Sequence, residues 1–161
     1  MHRLNECEGT SECERWQKRG ESKAVGRSHG GLNTKIHAIV DGLGNPVEFL
    51  LSPGNDHDST HAIEILSKVE LADSNVIGDR AYGTQDIRDY ITRHNAVYTI
   101  PPKTNTKNPW ECDWWVYKER HLIECFFLKI KWFRRVATRY DKRDDSFLAF
   151  VYLASIAILL K

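Results

Sequence analysis

Apolar and polar positions alternate over Thr34–Asp41: Ile36, Ala38 and Val40 fall on one side, Lys35, His37 and Ile39 on the other. A period of two predicts a half-buried strand. Gly42–Asn45 reads as a turn, and Pro46–Ser52 as a second strand, so the two form an antiparallel hairpin. The polar run Gly54–Thr60 follows, with Asp58 or Ser59 placed to cap a helix from His61 to about Val69. Val76 and Ile77 form a short buried strand that ends at Gly78–Asp79. Thr84 is placed to cap a helix over Gln85–Arg93, and Ala96–Ile100 is a further strand, stopped by Pro101 and Pro102. Lys103–Trp115 reads as a loop. A long helix is expected over Val116–Arg134 and a last one over Asp145–Leu160. Residues 1–33 show no convincing period and read as an irregular arm, which leaves 34–161 as the ordered domain. The element order predicts a mixed α/β layer fold.

The long helix carries the most informative pattern. At about 100° per residue, Leu122, Ile123, Phe126, Phe127, Ile130 and Phe133 make a wide apolar face. Tyr117, Arg120, Glu124 and Lys131 fall on a narrow polar seam beside it. An Arg120–Glu124 pair at i,i+4 explains part of the seam and contributes only a few tenths, roughly 0.2–0.5 kcal/mol. The periodicity is equally compatible with a line of working side chains at the edge of a site.

Composition changes this picture little until charge is located. The chain has 161 residues, suited to one domain, 41% of them apolar, and a formal net charge of +1. Yet Tyr117–Arg143 holds nine basic residues against three acids, so the excess is concentrated. Such a tract fits a phosphate-backbone binder, and a solvated helix face is the plainer alternative. The four cysteines form no CxxC pair, and Cys7, Cys13 and His2 lack a metal-ligand spacing. The polar N-terminus has no signal-like apolar core, so a reducing intracellular setting is the default. Phe147–Leu160 is shorter than the roughly 20 residues that span a bilayer and reads as a buried helix. Trp110, Trp114 and Trp115 suit core or interface cover, or stacking on bases. Asp58 and His57 suit a helix cap and a surface histidine, or an approach to a site.

Several runs together resemble the catalytic domain of bacterial insertion-sequence transposases of the DDE class. They are GRSHGGLNTKIHAIVD (Gly26–Asp41), PGNDHDST (Pro53–Thr60), IGDRAYG (Ile77–Gly83), PPKTN (Pro101–Asn105) and FFLKIKWFRRVATRYDK (Phe126–Lys142). The spacing Tyr117, Arg120, Glu124, Lys131 is similar to the family's signature without departure. The resemblance implies a ribonuclease H-like mixed sheet flanked by helices. It implies three metal-binding acids, with Asp79 as the second and Glu124 as the third, and Mg²⁺ or Mn²⁺ as cofactor. The first acid has no match: the family's first strand, its aspartate and the usual N-terminal DNA-binding region are expected to be missing from this chain. Glu6, Glu8, Glu12, Glu14 and Asp41 are poorly placed to replace it.

By the same resemblance Arg120 orients Glu124 or meets a phosphate, Lys131 contacts the DNA backbone near the cut, and Tyr117 stacks on a base or bonds a phosphate. Lys103, Lys129, Arg134, Arg135, Arg139 and Lys142 are expected to add backbone contacts. The implied partners are double-stranded DNA, at the element's terminal repeats and at the target, and a second transposase copy, with no membrane. The implied location is the bacterial cytoplasm, at the nucleoid. The implied activity is metal-dependent DNA cleavage and strand transfer. The alternative is a non-catalytic DNA-binding or regulatory fragment.

Overall fold

The structure is a computed structural model that describes residues 4–6, 24–28 and 31–160. Its centre is the hairpin of β3 (Gly31–Val40) and β4 (Pro46–Pro53), antiparallel from Thr34 opposite Pro53 to Val40 opposite Pro46. Asp41 fixes the turn, its Oδ1 accepting from the backbone N–H of Leu43 and of Asn45. Gly44 at φ +83° occupies the left-handed region that favours glycine.

β3 starts earlier than its alternation suggests because its first residues also pair. β2 (Gly26–Ser28) runs antiparallel to it, with Ser28 opposite Gly31. β1 (Leu4–Glu6) also lies antiparallel to β3, with Leu4 opposite Lys35. The described parts of the expected irregular arm therefore include strands. Cys7, Cys13, Glu8, Glu12 and Glu14 lie outside the described residues. A second, two-stranded sheet joins β5 (Asn75–Ile77) to β6 (Val97–Thr99) in parallel. The parallel pair needs a crossover, supplied by α2 (Gln85–Arg93).

Two apolar clusters hold these pieces. Ile36 and Ala38 of β3 and Phe49 of β4 pack with Ile123, Phe126, Phe127 and Ile130 of α4 (His121–Ile130). Phe147, Val151 and Ala154 of α6 (Asp144–Leu159) close that cluster. The second gathers Ala62 and Leu66 of α1 (Ala62–Leu66) with Tyr82, Ile87, Ile91 and Ile100, and Ile39 packs against it. β3 is thus covered on both faces, and His37, expected on an open face, is buried. The alternation is real, but it separates two interiors rather than an interior from water.

The long helix expected over Val116–Arg134 is broken. α3 (Trp114–Tyr117), a 3₁₀ turn (Lys118–Arg120), α4 and α5 (Arg134–Ala137) replace it. Phe133 is extended, which lets both Phe133 and Val136 turn into the core that Phe126 occupies. α6 also departs from expectation. It is buried at Phe147, Val151 and Ala154 but leaves Leu153, Ile156, Leu159 and Leu160 exposed. Among the described residues no helix is long and apolar enough to cross a membrane.

Candidate active site

Asp79 follows the C-terminal end of β5, where the last inter-strand bond runs from Gly78 N–H to the Thr99 carbonyl. Its backbone is extended, and its Oδ1 accepts from Ala81 N–H at 2.8 Å. The chain then turns through a 3₁₀ segment (Arg80–Tyr82), with Tyr82 N–H donating to the Asp79 carbonyl. Short side-chain-to-backbone bonds of this kind are how an aspartate sets its own turn. Tyr82 is buried under the turn. Burial first, then the Asp58 and Asp79 carboxylates, push its hydroxyl pKa up. The short segment Asp58–His61 packs against this turn, and the two make one corner.

Two groups of residues support this corner from opposite parts of the sequence. Trp110 donates from Nε1 to the Ile100 carbonyl at 2.7 Å and carries the Arg88 guanidinium 3.7 Å from its ring. A Cβ at Gly83 would stand 3.2 Å from that ring. Trp110 is thus core cover. Asp58 does not cap the following helix; its Oδ1 lies 2.9 Å from Lys35 Nζ. The same ammonium donates to the Asp56 carbonyl at 2.5 Å. His61 lies 3.0 Å from Asp56 and 3.3 Å from Glu64, and its ring centroid is 5.5 Å from that of His37. His37 Nε2 in turn meets Ser52 Oγ at 2.7 Å. Sequence analysis missed Lys35, His37 and His61. Their signal was the polar half of the β3 alternation beside the polar run Gly54–Thr60.

Glu124 is in different surroundings. It is about half exposed on α4 and pairs with Arg120 Nη2 at 2.7 Å. The Arg120 guanidinium also lies 5.7 Å from the Tyr117 ring. Three members of the expected seam are therefore connected along one right-handed helical run. Lys131 stands at the α4 C-cap, exposed. Asp79 and Glu124 have the hard oxygen donors that Mg²⁺ or Mn²⁺ requires. Their number falls short: among the described residues no group of three or more His, Cys, Asp or Glu side chains is arranged to hold a metal ion.

The basic tract divides in two. Lys129, Lys131, Arg134 and Arg135 are exposed around the end of α4 and along α5, with Arg135 4.2 Å from the Phe150 ring centroid. Lys103 and Lys142 are exposed on loops. Arg139 is buried, which corrects its expected role as a phosphate contact. It donates to Thr34 Oγ1 at 2.7 Å, to Asp144 Oδ1 at 2.7 Å and to the Asp141 carbonyl at 2.9 Å. A guanidinium with those partners tethers α6 to β3 and cannot reach a nucleic acid. Trp114 and Trp115 remain exposed, with Lys118 Nζ 4.5 Å from the Trp115 ring.

The transposase DDE domain family matches residues 6–108, which include Asp79 and end before the Tyr117–Lys131 seam. A putative transposase for insertion sequence element IS6501 of Brucella ovis is 37% identical over 131 residues, 81% of this chain and 100% of that protein. No solved structure matches the chain. The chain belongs to the transposase DDE domain family and by that membership is a transposase-type enzyme.

Proposed function

We propose that this chain carries out metal-dependent DNA cleavage and strand transfer at insertion-sequence ends, on a ribonuclease H-like arrangement, with Asp79 and Glu124 as metal-binding acids. The observation that carries the reading is Asp79 itself. It stands just past the carboxyl end of a parallel strand, in a turn fixed by its own side chain, inside the segment that matches the family. In open α/β sheets the carboxyl ends of strands are where ligands gather.

Both steps are phosphoryl transfers, and a divalent Mg²⁺ or Mn²⁺ would supply activation of the attacking oxygen and neutralisation of the leaving one. The chain's own residues have simpler tasks. Arg120 holds the Glu124 carboxylate through a charge-assisted bond. Tyr117 and Lys131 extend the seam toward the phosphate backbone. Lys129, Arg134 and Arg135, with Lys103 and Lys142, hold duplex DNA without reading its sequence. The test is Mg²⁺-dependent nicking and joining of terminal-repeat DNA by the parent, Asp79→Ala and Glu124→Ala. Loss of both reactions in both variants is expected; variants as active as an active parent sink the assignment.

One observation favours a second reading, a DNA-binding or regulatory protein without chemistry. The described residues hold no three-acid group. Salt-dependent DNA binding by the parent without any Mg²⁺-dependent cleavage selects it.

A further inference from the structure

The segment between β4 and α1 is bound to β3 more firmly than a surface connection requires. Gly54 N–H donates to the Asn33 carbonyl, and a Cβ at Gly54 would fall 1.2 Å from Asn33 Oδ1. A larger residue here would have to displace the buried Asn33 side chain. Lys35 then holds the segment at two points, the Asp56 carbonyl and the Asp58 carboxylate. His61 bonds Asp56 and Glu64, and it stands beside the buried His37. So fixed, the short 3₁₀ segment Asp58–His61 packs against the 3₁₀ turn Arg80–Tyr82, the turn that Asp79 opens. Asp58 begins one of these two packed segments, and Asp79 caps the other.

We propose that Lys35 and Asp58 form a positioning pair for Asp79. Lys35 sits on the central strand, which pairs with β1, β2 and β4, and is only 17% exposed. Its ammonium fixes where Asp58 stands and neutralises it. A second uncompensated carboxylate beside Asp79 would repel it and disturb the turn its Oδ1 closes. Neither Lys35 nor Asp58 needs to touch DNA. That positioning Asp79 serves catalysis rests on the function proposed above; the effect on the turn does not.

Hydrogen exchange on the full chain separates the two. The Ala81 amide, which donates to Asp79 Oδ1, reports the turn, and the amides of α2 report the neighbouring fold. Lys35→Met should lower protection at Ala81 about tenfold while α2 amides hold their rates, because local and global openings are distinct. Lys35→Arg should restore most of it. Lys35→Met with Asp58→Asn should do no worse than Lys35→Met alone, since the double variant removes the orphaned charge. An unchanged Ala81 rate in Lys35→Met overturns the proposal. So does an equal loss across Ala81 and α2, which marks an ordinary stabilising salt bridge. Nicking rates are read in parallel. In an active parent, Lys35→Met should lower kcat about tenfold or more, with DNA affinity unchanged, as misplaced groups typically do. A changed Ala81 rate with Asp79→Ala fully active leaves the pair's effect on the turn intact and sinks the catalytic role.

Discussion

The two acids assigned to one reaction are held in contrasting ways. Glu124 rides on a helix, half exposed, and its described partner, Arg120, comes from one turn away. Asp79 closes a tight turn over a buried tyrosine, and that turn is packed by the connection before α1 and, at Gly83, by Trp110 from the loop after β6. A helix fixes a side chain through local geometry, so its placement survives most distant changes. A strand-end turn is fixed by what packs on it, so its placement depends on much of the fold.

The largest expected effect tests this directly. Tyr82→Ala removes a buried ring beneath the Asp79 turn and should cost about 3–5 kcal/mol in urea unfolding, the range for truncating a core aromatic. A loss below about 1 kcal/mol, the scale of a surface change, would show that the turn stands without its packing.

The next effect is a pH dependence from His37, which stands beside His61 of the segment packed on the Asp79 turn. Burial first of all holds the His37 pKa down to about 4, whereas in the unfolded chain it titrates near its ordinary value of 6.5. The unfolded state therefore takes up the proton first. Stability from this group is fully present above pH 6.5 and falls as pH drops toward 4, by at most about 3 kcal/mol. His37→Asn should flatten the slope of unfolding free energy between pH 6.5 and 4. Parallel slopes for parent and variant would move the sensitivity elsewhere.

The smallest effect belongs to the helix. Arg120→Ala should change stability by no more than about 0.5 kcal/mol, as an exposed i,i+4 pair should. If the proposed chemistry holds, the same variant should lower the nicking rate at least about tenfold, since one positioned charge is worth that much or more in a transition state. A variant that loses stability but keeps its rate would reverse the contrast between the two acids.

The same division runs through the sequence reading. The strand at Thr34–Asp41, the hairpin with Pro46–Ser52, the helix Gln85–Arg93 and the Arg120–Glu124 pair were all legible, because each depends on neighbours within a few residues. The long helix was not legible as broken, because Phe133 leaves it to satisfy a core built by β3, β4 and α6. Nor was α6 legible as half exposed: an all-apolar helix says that it prefers burial, not how much cover the fold provides.

By itself the sequence determined the periods, the turns, the concentration of positive charge and the runs that mark the family. Tertiary structure alone decided which charges act where. Arg139 and Arg135 lie in one basic tract, yet one is buried against Thr34 and Asp144 while the other is exposed beside Phe150. Lys35 looked like the solvent side of a strand and instead holds the segment that packs on the Asp79 turn. The reason is physical. A charge is specified by its partners, and for these residues the partners lie far along the chain, so folding must bring them within hydrogen-bond range before the charge has a role.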